Sequence, residues 1–263
     1  MIPTCTRTET SAAVLDVRRA GSGHELRELR RGARLAPRIL AGGATVRAAF
    51  VPTQAGPLAG DEERARIVVG AGASLVVEPV AATLALPGPE RTALTLDVTV
   101  EAGGRLVLDE AALIVAAGAD VVRRCTVELA DGAVAALRES VVLGRDGEPP
   151  GTLDSVLRAT LGGRVLLHDG LRVDATSATA DVHVALAPGH RVLGTACLLG
   201  LRPPPPALAL AGPGALHRAS GASLAAVDAA LAGTWRAWCA RALGPIRLGS
   251  HDPNWDRSLS STR

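Results

Sequence analysis

Short runs of branched apolar residues, broken by glycine and closed by a charge, recur along this chain. Val68–Glu78 reads V-V-G-A-G-A-S-L-V-V-E, two apolar runs about a glycine turn, the second ending in a carboxylate. The phrase returns as Val98–Glu110 (V-T-V-E-A-G-G-R-L-V-L-D-E), Val127–Glu139 (V-E-L-A-D-G-A-V-A-A-L-R-E) and Val156–Asp169 (V-L-R-A-T-L-G-G-R-V-L-L-H-D). The turn glycines Gly72, Gly103, Gly132 and Gly162 stand 31, 29 and 30 residues apart, and a weaker copy at Gly42 and Gly43 begins 30 residues before Gly72. Branched side chains suit a pleated surface, and glycine supplies the positive φ of a tight reversal, so each unit is predicted to be a β-hairpin. A unit of about 30 residues cannot bury its own apolar face and must stack on its neighbours. The predicted fold is mainly β: a layered, quasi-repetitive, β-solenoid-like array whose spacing is too irregular for a strict solenoid.

Between the repeats, Ala12–Val17 predicts a first strand, and the charged Glu25–Arg34 segment an exposed strand or a loop ending at Pro37. Phe50–Asp61 (F-V-P-T-Q-A-G-P-L-A-G-D), broken by glycine and proline, is a shaped loop, and Ala81–Glu90 and Gly144–Gly151 are further excursions. Alternation over Ala175–Leu201 continues the strands, and Pro203–Pro206 predicts an extended link. One helix is predicted beyond it. Leu224, Val227, Leu231, Trp235, Trp238 and Ala242 fall at helical spacing, Ser220 or Ser223 can cap the start, and Gly244 with Pro245 ends it. The expected organisation is a flexible N-terminus (1–11), a β-repeat domain (12–201), a proline-rich link with a packed helix (202–247) and a flexible tail (248–263).

Composition narrows the function. Hydrophobic residues make up 48% of the 263 but aromatics only 2%, so Val, Leu and Ala must fill the core, and no aromatic platform exists for single-stranded nucleic acid. A net charge of +2 from 28 basic and 26 acidic residues singles out no partner class, and nucleic acid is not expected. No uncharged run reaches the roughly 20 residues of a membrane span, and Met1–Thr10 lacks a signal-type apolar region, which points to the cytoplasm. Cys5, Cys125, Cys197 and Cys239 are scattered and suggest neither a disulfide framework nor a zinc knuckle.

No nucleophile elbow, phosphate loop, zincin helix or dinucleotide fingerprint is present, so no catalytic residue is nominated and an enzyme is not expected. The histidines His24, His168, His183, His190, His217 and His251 lie far apart. Asp181 and His183 can share a strand face, whereas the neighbours His168 and Asp169 cannot. Two donors fall short of a tight metal site, and no stable one is expected. A more diffuse signal lies in the repeats. Six residues after the turn glycine come Glu78, Asp109, Arg138 and His168, and next come Pro79, Glu110, Glu139 and Asp169. Stacked units would align these as a column or passage, the plain alternative being solvated strand ends.

Four segments together resemble the UreD (UreH) family of urease accessory proteins. Pro52–Asp61 (P-T-Q-A-G-P-L-A-G-D) resembles its T-A-G-G-x-x-G-G-D signature, and Val68–Thr83 its repeat followed by Q-A-A-T-K. Glu139–Glu148 (E-S-V-V-L-G-R-D-G-E) resembles E-x-x-x-x-G-R, and Gly162–Asp174 (G-G-R-V-L-L-H-D-G-L-R-V-D) resembles G-R-x-L-L-x-D-R-L-x-L. The likeness is collinear over residues 12–243, with departures at Pro57, where glycine is usual, at Leu84, where lysine is usual, and over Leu106–Ala117, which lacks the combination of tryptophan, proline and acidic residue usual there. It implies a two-layered helical array of β-strands with few helices. It also implies a non-enzymatic scaffold that binds apo-urease, recruits UreF and the GTPase UreG, and passes Ni²⁺ transiently with no tightly bound cofactor. The positions it points to are Thr53, Gly56, Gly60, Asp61, Glu78, Glu139, Arg145, His168, Asp169, Arg172 and Asp174. Asp61 alone would equally serve as a turn residue bonded to nearby backbone. The alternatives are a β-repeat interaction module without a nickel role and, against the 2% aromatic content, a β-array carbohydrate-active enzyme.

Overall fold

Ile67 and Val69 alternate inward from one strand, and Leu75 and Val77 meet them from the strand after the Gly72 turn, all in one core. This pairing across a gap, rather than within a sheet, organises the computed structural model, which describes residues 11–174, 189–203 and 208–244. The chain opens with two hairpins, β1 (Ala13–Ala20) with β2 (Gly23–Arg30) and β3 (Leu35–Ala41) with β4 (Val46–Pro52). Three coils then repeat one plan: β5 (Glu62–Val69) and β6 (Ser74–Glu78), β8 (Thr92–Val100) and β9 (Arg105–Asp109), β11 (Asp120–Leu129) and β12 (Val134–Leu143). The short β7 (Thr83–Ala85) and β10 (Leu113–Val115) lie between coils. The hairpin β13 (Thr152–Leu161) and β14 (Arg164–Val173) follows, then β15 (Val192–Leu199), β16 (Leu208–Ala209), β17 (Gly214–Gly221) and helix α1 (Leu224–Leu243).

One sheet has seven strands in the order β14-β13-β11-β8-β5-β1-β2. The other has ten, ordered β16-β17-β15-β12-β9-β6-β4-β3, with β10 joining β12 to β7. The turns at Gly72, Gly103 and Gly132 are therefore arches, not the predicted hairpins. Each leads from the first sheet to the second, and successive coils pair in parallel in both sheets. An arch turns the apolar faces of both its strands toward each other, which a hairpin cannot do. The three glycines have φ of 64°, 69° and 74°, and a Cβ on Gly132 would lie 3.8 Å from the Gly103 nitrogen, so the turns stack directly. At Gly43 and Gly162 the predicted antiparallel hairpins do form.

Leu15, Ile67, Val98 and Val127 form one in-register row of the main core, faced by Leu75, Leu106, Ala135 and Leu199 of the second sheet. The outer face of the second sheet is also apolar. Val76, Val107, Ala136 and Leu198 lie beneath Trp235, Trp238 and Ala242 of α1, which makes a third layer. Ser223 is the cap, its Oγ accepting from Ala226 N at 3.2 Å, and Gly244 ends the helix at φ 72°. At Gly194 the helix meets bare β15 backbone, since a Cβ there would lie 2.4 Å from Val227 Cγ1. Cys125, Cys197 and Cys239 are buried free thiols. Among the described residues no helix is long and apolar enough to cross a membrane. The Asp181 and His183 pair, Cys5, most of the proline run and the terminal tail lie outside the described residues.

Candidate functional site: a polar layer across the sandwich

The period-two rule that points Ala65 and Ile67 into the core points Glu63 there as well. Strand register carries that row across the first sheet: Glu63 opposite Leu94, Leu94 opposite Arg123, Arg123 opposite Ser155, and Ser155 opposite Leu171. On the second sheet Glu139 lies opposite Thr195 and Thr195 opposite Arg218. Glu110 is set beside Glu139 by its backbone N–H, which donates to Arg138 O at 2.9 Å.

The two rows meet at Arg123. Its Nη2 donates to Glu110 Oε1 at 2.7 Å, and its Nη1 donates to Glu139 and, at 3.2 Å, to Ser155 Oγ. At the far edge the Arg218 guanidinium donates to Asp169 of β14 and, through Nε, to Thr195 Oγ1 at 3.3 Å. The layer separates the main core from a second apolar cluster built on Leu113, Val121, Val141, Leu153, Val173 and Leu193. A cavity of about 130 Å³ reaches it from one side, walled by Glu63, Phe50, Leu108, Glu110 and Arg123 and extending to Pro79 and Val80. Val80 is 56% exposed, so this side opens at the surface. A smaller cavity of about 10 Å³ lies beyond, against Glu139, Ser155, Asp169, Thr195 and Arg218.

Burial sets the electrostatics. Arg123 is 7% exposed, and desolvation works against its charge, yet Glu110 and Glu139 more than offset this and hold its pKa well above the ordinary value. Desolvation pushes Glu139 up, with the Arg123 charge opposing. Glu63 is also raised by burial, with Arg34 opposing and Asp61 reinforcing the shift. The Cys125 and Cys197 thiols beside the layer are pushed up by burial and stay protonated near neutrality, so they offer no thiolate. No group of three or more His, Cys, Asp or Glu among the described residues could hold a metal. The layer presents carboxylates already engaged by guanidinium groups, and it holds no activated nucleophile.

Of the sequence-predicted positions, Glu139 and Asp169 sit in this layer. Glu78 borders the larger cavity and accepts from Arg47 Nε at 2.6 Å. Thr53, Gly56, Gly60 and Asp61 shape the loop before Glu63. Its clasp is Asp61, whose carboxylate accepts from Leu58 N at 2.6 Å and pairs with Arg34 at 2.8 Å, while Arg34 also donates to Ala55 O at 2.9 Å. The remaining positions are not brought together. His168 is exposed on the outer face of the first sheet opposite Arg158, and Arg172 lies on that face opposite Asp154. Arg145 bonds Glu148 within its own turn at 2.8 Å, and Asp174 follows the end of β14. The column of Glu78, Asp109, Arg138 and His168 is likewise broken. Arg138 grips Asp109 at 2.7 and 2.6 Å under α1, but the fourth repeat is a hairpin that keeps His168 on the other sheet. Glu63, Arg123, Ser155, Thr195 and Arg218 are members of the layer that motif reasoning missed. Their signal is a polar residue at inward parity on a strand.

Comparison with known proteins places these features in a lineage. The family described as UreD urease accessory protein matches residues 10–247. Urease accessory protein UreD 1 of Streptomyces griseus subsp. griseus is 39% identical over 236 residues, covering 86% of this chain and 90% of that protein. Urease accessory protein UreD of Streptomyces avermitilis is 38% identical over 159 residues, covering 60% and 63% respectively. That of Frankia alni is 48% identical over 111 residues, covering 41% of this chain and 37% of its own.

Proposed function

The chain belongs to the UreD family of urease accessory proteins, and from that premise we propose that it is a non-catalytic scaffold of urease maturation that conducts Ni²⁺ along the polar layer. In this reading it docks apo-urease, recruits UreF and the GTPase UreG in the cytoplasm, and delivers the ion as cargo rather than keeping it as a cofactor. The observation that carries the reading is the gathering of polar side chains at one level of both sheets, with Leu94 alone between Glu63 and Arg123. Glu63, Glu110, Arg123, Glu139, Ser155, Thr195, Arg218 and Asp169 lie between two clusters built mainly of Val, Leu and Ala. A conduit must bind weakly, because nickel held by a complete set of nitrogen and oxygen donors would not leave. Glu110, Glu139 and Asp169, each already engaged by an arginine, satisfy that requirement.

The test is the nickel content and activity of urease co-expressed with its cognate accessory proteins, with this chain, without it, and with a Glu110→Gln/Glu139→Gln form. Loading should fall on omission and fall with the double variant, while Glu128→Ala on the solvent face of β11 behaves as the parent. Unchanged loading on omission would sink the scaffold role. Unchanged loading with the double variant would remove the conduit.

A further inference from the structure

Arg123 lines the larger cavity and bonds two residues that line the smaller one. The larger is walled by Arg123 and Glu110, the smaller by Glu139 and Ser155, and one guanidinium bonds all three partners. We propose that Arg123 is a built-in gate cation: its guanidinium occupies the seat between Glu110 and Glu139 that a divalent ion moving along the layer must take, so the ion passes only by displacing it. The inference rests on the conduit reading above.

Two carboxylates facing each other in a low-dielectric interior attract a divalent cation strongly. A tethered guanidinium cancels one of the charges, fills the space and competes at the high effective concentration of an intramolecular ligand. The seat is thereby kept from becoming a trap while its carboxylates stay aligned. A displaced guanidinium also has somewhere to go. Glu63 lies two strands away on the same face, roughly 10 Å, across the larger cavity that both residues wall. Extended arginine and glutamate side chains together span that gap. Arginine suits the task because it cannot lose its charge when desolvated, whereas a buried lysine can.

The proposal is tested on the purified, metal-free full chain equilibrated with NiCl2, reading retained nickel after dialysis and affinity by calorimetry. Arg123→Gln, which frees the carboxylates of their counter-charge, should retain more nickel than the parent and bind it at least about ten-fold tighter. Arg123→Met carries the same expectation, and either variant that folds decides the matter. Adding Glu139→Gln to either should abolish the gain, and Ni²⁺ should raise the melting temperature of the single variants but not of the parent. Binding no tighter than the parent, or a gain that survives Glu139→Gln, overturns the gate. Retention that rises with no loss of urease loading on co-expression overturns the conduit instead, and leaves the seat assigned to Arg123.

Discussion

Truncating Glu139 to alanine removes one of the two anions that hold Arg123, and the structure sets the size of the effect. The side chains are 19% and 9% exposed, so solvent screens the pair weakly. Breaking a buried ion pair outright costs about 3–5 kcal/mol. Here the guanidinium keeps Glu110 at 2.7 Å and Ser155 at 3.2 Å, so roughly half of that, ~2 kcal/mol, is expected. Lost contact of the Glu139 methylenes adds about 0.5–1 kcal/mol. The total of about 2–3 kcal/mol corresponds to a fall of roughly 5–10 °C in melting temperature for a chain of this size. Thermal and urea unfolding followed by circular dichroism measure it, with exposed Glu128→Ala, expected within about 0.5 kcal/mol of the parent, as reference. In an Arg123→Met background the same truncation should cost far less, since it then removes an unpaired buried acid. Equal losses from Glu139→Ala and Glu128→Ala would refute the view that this contact organises the layer.

Two further perturbations follow from the geometry. Burial raises the Glu63 pKa above 4.5, so the native state keeps a proton that the unfolded chain has already released, and stability should fall as pH rises from 4.5 through the folded value. Glu63→Gln should flatten that decline in urea midpoints taken across about pH 4–8, and an unchanged slope would assign it to other groups. Gly194→Ala places a methyl 2.4 Å from Val227 Cγ1 and 2.8 Å from Leu231 Cδ1. Displacing α1 in this way should cost about 1–3 kcal/mol and red-shift tryptophan emission as Trp235 and Trp238 loosen, whereas unaltered emission would place the helix elsewhere.

Local chemistry made much of the architecture legible. A 30-residue period of branched runs about positive-φ glycines requires stacked strands whatever their connection, and the spacing of Val227, Leu231, Trp235 and Trp238 requires a helix with one apolar side. The family likeness, carried by Pro52–Asp61 and Gly162–Asp174, was equally readable. Whether a glycine turn closes a hairpin or an arch was not, because both use the same φ and the same apolar strands. The choice depends on which strand supplies the hydrogen bonds: one from the next coil, Val98 for Ile67, or the adjoining strand, Leu167 for Ala159.

The polar layer was decided at that same level. Adjacent like charges, Glu62 with Glu63 and Arg123 with Arg124, hide which member faces inward, because the strand can be read in either phase. Only the register that buries Ala65 and Cys125 turns Glu63 and Arg123 inside. Glu110, Glu139 and Arg218, spread over more than a hundred residues of chain, then become neighbours of one guanidinium or of one another's row. By itself the sequence determined the repeat, the small-residue core, the C-terminal helix and the lineage, since these depend on short-range pattern. Tertiary structure alone decided which charges left the surface, because burial is a property of the assembled sheets and of no single strand.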